Sequence, residues 1–233
     1  MPRSNGYHDA MIAPKLIAAG LLLLCAASHA DLCESGKRQS PIDITSSQRQ
    51  NLPALIFDYT LPAEKIANDK HTVRVRFSAG NQVRFGALRF TLQQFHFHTP
   101  GGDRIAGEEF PMVAHLLHKS ASGQLLALAV PFRTGAENPL LEKLLPLIPS
   151  RADGDHPLQN DLLLASALLP AQRGYYRYSG SLTAPPCTEG FDWIVLKQAI
   201  EISPAQLARY RQHFGDNMRA PQALHGRVVL ESE

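Results

Sequence analysis

Three histidines are the residues in this sequence best placed to do chemistry. His96 and His98 stand at i and i+2 in Gln94-Phe95-His96-Phe97-His98-Thr99-Pro100. In an extended strand that spacing turns both imidazoles to one face and Phe95 and Phe97 to the other. A turn-rich stretch follows, Pro100-Gly101-Gly102-Asp103, with Ala106-Gly107 further on, before the chain re-enters a strand carrying His115. If the two strands pair antiparallel, His115 comes opposite the His-x-His pair and three nitrogens converge. Three histidines with an open fourth position are the makeup of catalytic zinc, which lowers the pKa of its bound water to about 7. Alone, His-x-His is also the ordinary polar pattern of a half-solvated strand face.

Short strand-like runs surround these residues. Thr72 to Phe77 and Gln82 to Phe85 alternate with period two, with Gly80-Asn81 as a turn between them. Phe90 to Thr99, Met112 to His118, Leu125 to Phe132 and Phe191 to Lys197 read the same way. Helical signals are few. Asn138 to Leu145 is a short amphipathic stretch ended by Pro146, and Ser203 is an N-cap with Pro204 at N1, opening a helix that runs to about His213 before Gly215. The expected fold class is mainly β (α+β): a large, mostly antiparallel sheet with peripheral short helices. No linker, repeat or low-complexity stretch divides residues 31–233, which are expected to form one domain.

Residues 1–30 are expected to be a signal peptide. Lys15 precedes an apolar run, Leu16 to Ala27, and Ser28-His29-Ala30 places small residues at the −3 and −1 positions of a cleavage site. A run of about 12 residues is too short to span a hydrocarbon core of about 30 Å as a helix, so no membrane span is expected in the mature chain. Met11 is an alternative start, and Cys25 an alternative lipid anchor with bulky Leu24 against it. Export places the mature protein in the periplasm or outside the cell. Of 23 basic and 21 acidic residues, 21 and 20 remain after cleavage, so the charge gives no argument for a nucleic-acid partner. Cys33 and Cys187 remain as an even pair in an oxidising compartment, which predicts a disulfide, with two buried free thiols as the alternative.

Several motifs occur in one order: Gln39-Ser40-Pro41-Ile42-Asp43-Ile44, the Gln94 to Pro100 segment, Ala114-His115-Leu116-Leu117-His118-Lys119, Tyr175 to Thr183, and Ala184-Pro185-Pro186-Cys187-Thr188-Glu189-Gly190. Together they resemble the α-class carbonic anhydrases, closest to the exported bacterial branch, over about Cys33 to Val229. The value of about 7 for zinc-bound water is itself the carbonic anhydrase figure, not one obtained for this chain. The resemblance implies a twisted sheet of about ten strands around a central conical cavity with zinc at its base. It implies His96, His98 and His115 as ligands of Zn2+, and Thr183 as the threonine that orients the attacking oxygen. Gln94 would accept from the first histidine, and the Asn217 segment would orient the second. His71 would be the proton shuttle, since imidazole changes charge near neutrality. Leu117, Ala127, Leu182, Phe191 and Trp193 would form the apolar wall that receives CO2, and Cys33 and Cys187 match the paired cysteines of the bacterial branch.

The sequence departs from the family pattern where the zinc would be tuned. The family follows its His-Phe-His-Thr-Pro with Ser-Glu-His, whereas this chain has Gly101-Gly102-Asp103; the glutamate that accepts the threonine's proton is Gly102, with Asp103 the nearest carboxylate. The glutamate two residues before the third histidine is Val113, which cannot accept a hydrogen bond. The aromatic segment usual before the Gln-Ser-Pro run is missing, Ala184 replaces a second threonine, and Asp69-Lys70 precedes His71 in place of Asn-Gly. The function implied is reversible hydration of CO2 to bicarbonate, a lyase reaction of one-carbon metabolism, at reduced efficiency. The alternatives are a catalytically degenerate relative that binds zinc, anions or a partner, and a zinc hydrolase of small activated esters. The sequence leaves the oligomeric state open.

Overall fold

The computed structural model describes Met1, residues 30–159 and residues 163–233. All of the expected signal peptide except Met1 and Ala30, with Cys25 in it, therefore lies outside the described residues. No helix among the described residues is long and apolar enough to cross a membrane.

Eight strands carry the architecture: β1 (Lys65–Asn68), β2 (Val73–Arg76), β3 (Gln82–Phe85), β4 (Leu88–His98), β5 (Met112–Ser120), β6 (Leu125–Thr134), β7 (Tyr175–Ser181) and β8 (Glu189–Leu196). They lie in the order β1-β2-β4-β5-β6-β8-β7, with β3 paired to the outer part of β4. Neighbours run antiparallel except β6 and β8, which are parallel. The whole sheet has thirteen strands among the described residues rather than about ten. Three of them, Gln48–Arg49, His156–Pro157 and Leu230–Glu231, are only two residues long, too short for alternation to reveal them.

Alternation sorts the central strands into two apolar layers. Leu116 of β5 and Leu126, Leu128, Val130 and Phe132 of β6 face a large core with Phe95 and Phe97. Val113 with Ala127 and Ala129 faces the opposite side, in a smaller cluster with Ile42, Tyr178, Phe191 and Trp193. Helices α1 (Pro139–Leu144) and α2 (Pro204–Phe214) cover the large core with Leu140, Leu141, Leu144 and Tyr210. Each begins as its sequence dictates. Asn138 accepts from the amides of Leu140 and Leu141, while Ser203 and Gln206 form a reciprocal capping box ahead of Pro204. α1 ends at Leu144, ahead of Pro146, and Pro146 sits in the 3-10 turn Leu145–Leu147 that follows it.

One irregularity positions the histidines. In β4 the pairing with β5 shifts between Leu92 and Gln94. Before the shift the even-numbered Phe90 and Leu92 enter the large core, and after it the odd-numbered Phe95 and Phe97 do. A strand has period two, so this one-residue bulge moves the even-numbered His96 and His98 to the other face.

Candidate metal centre

His96 pairs directly with His115 across β4 and β5, and His98 pairs with Val113 on the same face. One nitrogen from each of His96, His98 and His115 lies within 4.8 Å of the others. The rings stand edge to face or tilted, with centroids 4.9 to 5.4 Å apart. Burial pushes all three imidazoles down: His96 and His115 well below the ordinary range, where the neighbouring histidines add to it, and His98 to about 4. At neutral pH they are free bases, the state that binds a metal.

The hydrogen bonds leave nitrogens over. Gln94 Oε1 takes His96 Nδ1 at 3.0 Å, leaving Nε2 of that ring for a ligand. Both ring nitrogens of His98 and Nε2 of His115 are buried without a partner among the described residues. Unpartnered buried polar atoms cost about 1–3 kcal/mol each; the open His98 nitrogens, converging with the His96 and His115 rings, fit a divalent cation that accepts nitrogen donors. Three imidazoles with room for a further ligand suit Zn2+.

Contacts tie several of the remaining expected residues to these histidines and their neighbours. Asn217 is fastened to the residue after His98, donating its amide to the Thr99 carbonyl (2.8 Å) and accepting the Thr99 amide on Oδ1 (3.0 Å). It lies close enough to His98 for its backbone and side chain to oppose the burial effect. Its Nδ2 also holds the carbonyl of His71, an exposed residue. Ala127, Phe191 and Trp193 belong to the smaller cluster, with Leu117 and Leu182 packed against it. Trp193 meets His115 edge to face at 4.8 Å. Thr183 is half-buried just beyond β7.

The loop carrying Thr183 is anchored by the Gln-Ser-Pro motif. Ser40 and Ser181 exchange amide-to-hydroxyl hydrogen bonds of 3.0 and 3.1 Å, and Trp193 Nε1 donates to the Ser181 carbonyl at 2.9 Å. A Cβ on Gly180 would stand 2.1 Å from Ser40 Oγ, so this close approach requires glycine. Cys33 and Cys187 are joined, with Cα atoms 5.1 Å apart. Arg219 binds Gln39 Oε1 (2.9 Å) and the Cys33 carbonyl (2.7 Å) beside that bridge.

Three features were hidden from the sequence. Gly102 is buried, and a Cβ there would lie 2.7 Å from Met218 Cε and 3.0 Å from Pro41 Cβ, so Met218 fills the space beside it. Asp103 is buried too, and its Oδ1 accepts from the Ile42 amide (3.0 Å) and the Tyr178 hydroxyl (2.8 Å). Arg219 clasps two segments more than a hundred residues apart from it in sequence. No local pattern announces any of these contacts, though Met218 stands beside Asn217 in the sequence.

The eukaryotic-type carbonic anhydrase family model matches residues 26–233. A carbonic anhydrase of Neisseria gonorrhoeae is 41% identical over 202 residues, covering 86% of this chain and 79% of that protein. One of Pectobacterium carotovorum is 39% identical over 201 residues, covering 85% and 82%. Among solved structures, a hyperthermostable carbonic anhydrase identified from an active hydrothermal vent chimney superposes with a TM-score of 0.84 at 36% identity, covering 88% of this chain and 92% of that one. A three-histidine cluster on two paired strands of a large, mostly antiparallel sheet, matched along nearly the whole described chain, places the protein in the α-class carbonic anhydrase family.

Proposed function

We propose that the protein is an exported zinc carbonic anhydrase of reduced efficiency, hydrating CO2 reversibly to bicarbonate and a proton. The observation that carries this reading is the convergence of His96, His98 and His115 nitrogens within 4.8 Å in a member of this family. Zinc bound there supplies the Lewis acidity that activates water at neutral pH. Gln94 fixes the His96 tautomer through its 3.0 Å hydrogen bond, so Nε2 carries a lone pair for the metal. Asn217 holds the His98 segment, and the half-buried Thr183 orients the attacking oxygen. The apolar surface of Leu117, Ala127, Leu182, Phe191 and Trp193 receives CO2, which has no charge to be paired. His71, exposed and tied to Asn217 through its carbonyl, takes the proton outward to buffer. The Cys33–Cys187 bridge supports an oxidising compartment, the periplasm or the exterior.

Reduced efficiency follows from Gly102 and Val113. With no side chain at 102, Thr183 has no carboxylate there to accept its hydroxyl proton, and its hydroxyl makes no hydrogen bond with the described residues. Valine at 113 offers nothing to His115 Nε2, which is buried and unpartnered among those residues. The same two observations favour the second reading, a catalytically degenerate relative that binds zinc or anions without turnover. Stopped-flow CO2 hydration, run on zinc-loaded protein whose metal content is measured on the same sample, separates them. The proposal expects about one zinc per chain, slow but measurable hydration, and loss of both in His96→Ala. Full zinc with no hydration establishes the second reading. Stoichiometric zinc in all three single His→Ala variants refutes the site.

A further inference from the structure

The two halves of the Cys33–Cys187 bridge stand in different surroundings. Cys187 is 1% exposed, whereas Cys33, on the short helix Ala30–Ser35, is only partly buried. The half-buried Arg219 lies against one sulfur of the pair, its Nη1 3.3 Å from Cys187 Sγ. It meets Cys33 through the backbone instead, Nη2 donating to the Cys33 carbonyl at 2.7 Å.

Other contacts hold the guanidinium in that place. Nη1 also donates to Gln39 Oε1 at 2.9 Å, and Gln39 Nε2 donates to the Cys187 carbonyl at 3.0 Å. The carboxylate of Glu189, two residues beyond Cys187, is taken by the amide and guanidinium of Arg38 and by Gln39 Nε2. Arg219 has no carboxylate partner among the described residues; its acceptors are Gln39 Oε1, Cys187 Sγ and the Cys33 carbonyl. Its charge is therefore available to an anion that forms on Cys187 Sγ.

We infer that Cys33 is a thiol-exchange site for a small thiol, with Arg219 making Cys187 the leaving and resolving thiolate. Exchange depends on which sulfur the attacking thiolate can reach and favours the leaving group of lower pKa, and a neighbouring arginine lowers a cysteine's pKa. Both factors select the same direction here. The incoming thiol loses its proton to solvent, and its sulfur forms a new bond to Cys33 Sγ. The Cys33–Cys187 bond breaks, and its electron pair leaves on Cys187 Sγ beside Arg219. The Cys187 thiolate then attacks Cys33 Sγ, expels the small thiol and closes the bridge again. Alternatively a second thiol removes the first as a small disulfide and leaves both cysteines reduced. The exchange bears on the loop that carries Thr183. The Cys187 amide donates to the Ala184 carbonyl and the Leu182 amide to the Thr188 carbonyl, both at 2.9 Å, so opening the bridge cuts one tie of that turn.

The test needs neither metal nor turnover and so stands apart from the zinc reading. Folded, oxidised protein is incubated with reduced glutathione and quenched in acid. Free thiols are blocked with N-ethylmaleimide and the peptides mapped by mass spectrometry. Glutathione is expected on Cys33 and the maleimide on Cys187. Glutathione on Cys187, on both cysteines equally, or on neither overturns the inference. In parallel, the rate at which dithiothreitol opens the bridge is measured in wild type, Arg219→Lys and Arg219→Gln. Arg219→Gln, which keeps a donor but no charge, should open about tenfold more slowly, and Arg219→Lys within about threefold of wild type. A merely structural role for Arg219 gives the opposite sign, because loosening the site hastens opening. Arg219→Gln opening as fast as wild type or faster therefore overturns the inference. If Arg219→Gln does not fold, the glutathione map of wild type decides alone.

Discussion

The stability of this fold should fall in mild acid through a histidine that has no part in the metal centre. His118 lies three residues beyond His115 on β5 and so faces the large core. It is 1% exposed, its Nε2 is 2.5 Å from the Tyr59 hydroxyl, and its Nδ1 has no partner among the described residues. Burial pushes its imidazole down to about 4 from an ordinary 6.5. Below pH 6.5 the unfolded chain takes up a proton that the folded chain refuses until about pH 4. The stability owed to the neutral ring is thus complete above 6.5 and lost as the pH falls to 4. That gap, at about 1.36 kcal/mol per pH unit, corresponds to about 3 kcal/mol, a large share of a typical domain's stability. Urea unfolding of metal-stripped wild type and His118→Gln at several pH values from 7.5 to 4 reads it directly. The zinc histidines contribute to both proteins and cancel in the difference. The variant should be the less stable protein at pH 7.5, and its deficit should shrink by about 3 kcal/mol by pH 4. Parallel curves for the two proteins across that range would refute the reasoning.

Other perturbations test the surroundings of the centre. Gly102→Ala should lower stability by about 1–3 kcal/mol because Met218 and Pro41 crowd the new Cβ, and Met218→Ala should relieve it; an unchanged melting temperature in Gly102→Ala contradicts this packing. For the same reason Gly102→Glu alone should not raise CO2 hydration, whereas Gly102→Glu with Met218→Ala should, as measured by stopped flow. Reducing the Cys33–Cys187 bridge, which joins residues 154 apart, should cost at most about 5 kcal/mol on the chain-entropy account. Identical urea midpoints with and without reductant contradict that. His71→Ala should slow hydration in weak buffer and respond to added imidazole more than wild type does; an equal response in both removes His71 from the proton path.

Much of the centre is legible in the sequence because its information is local. His96 and His98 declare a shared face by spacing, and His115 needs only one antiparallel pairing to join them. Ser203 and Asn138 declare helix starts because a cap is a contact within three residues. What is illegible is set by partners distant along the chain. Nothing near Gly102 says that Met218 fills the space beside it, and nothing near Asp103 names Tyr178 as its donor. The two-residue strands exist only because a neighbour pairs with them. The bulge is hidden for a different reason: Leu92 and Phe95 are both core residues, and a period-two reading carried straight through them misassigns one side or the other.

That bulge, more than the side chain it contains, is the guardian of the centre. Gln93 is the residue absorbed by the shift; it is exposed, and its side chain reaches only the Thr91 carbonyl two residues back. Many residues can stand there with little change, so position 93 is open to drift. Deleting it would also keep the histidine face, because Leu92 and Gln94 already pair with consecutive residues of β5 and Phe95 and Phe97 would then alternate in phase with Phe90 and Leu92. Straightening the strand with residue 93 retained is what would carry His96 and His98 to the side of Phe90 and Leu92. Recombination between homologous chains faces the same asymmetry. A crossover that loses the one residue between Leu92 and Gln94 leaves a regular strand with the same histidine face, whereas one that keeps the count but imports a segment that does not bulge turns that face over.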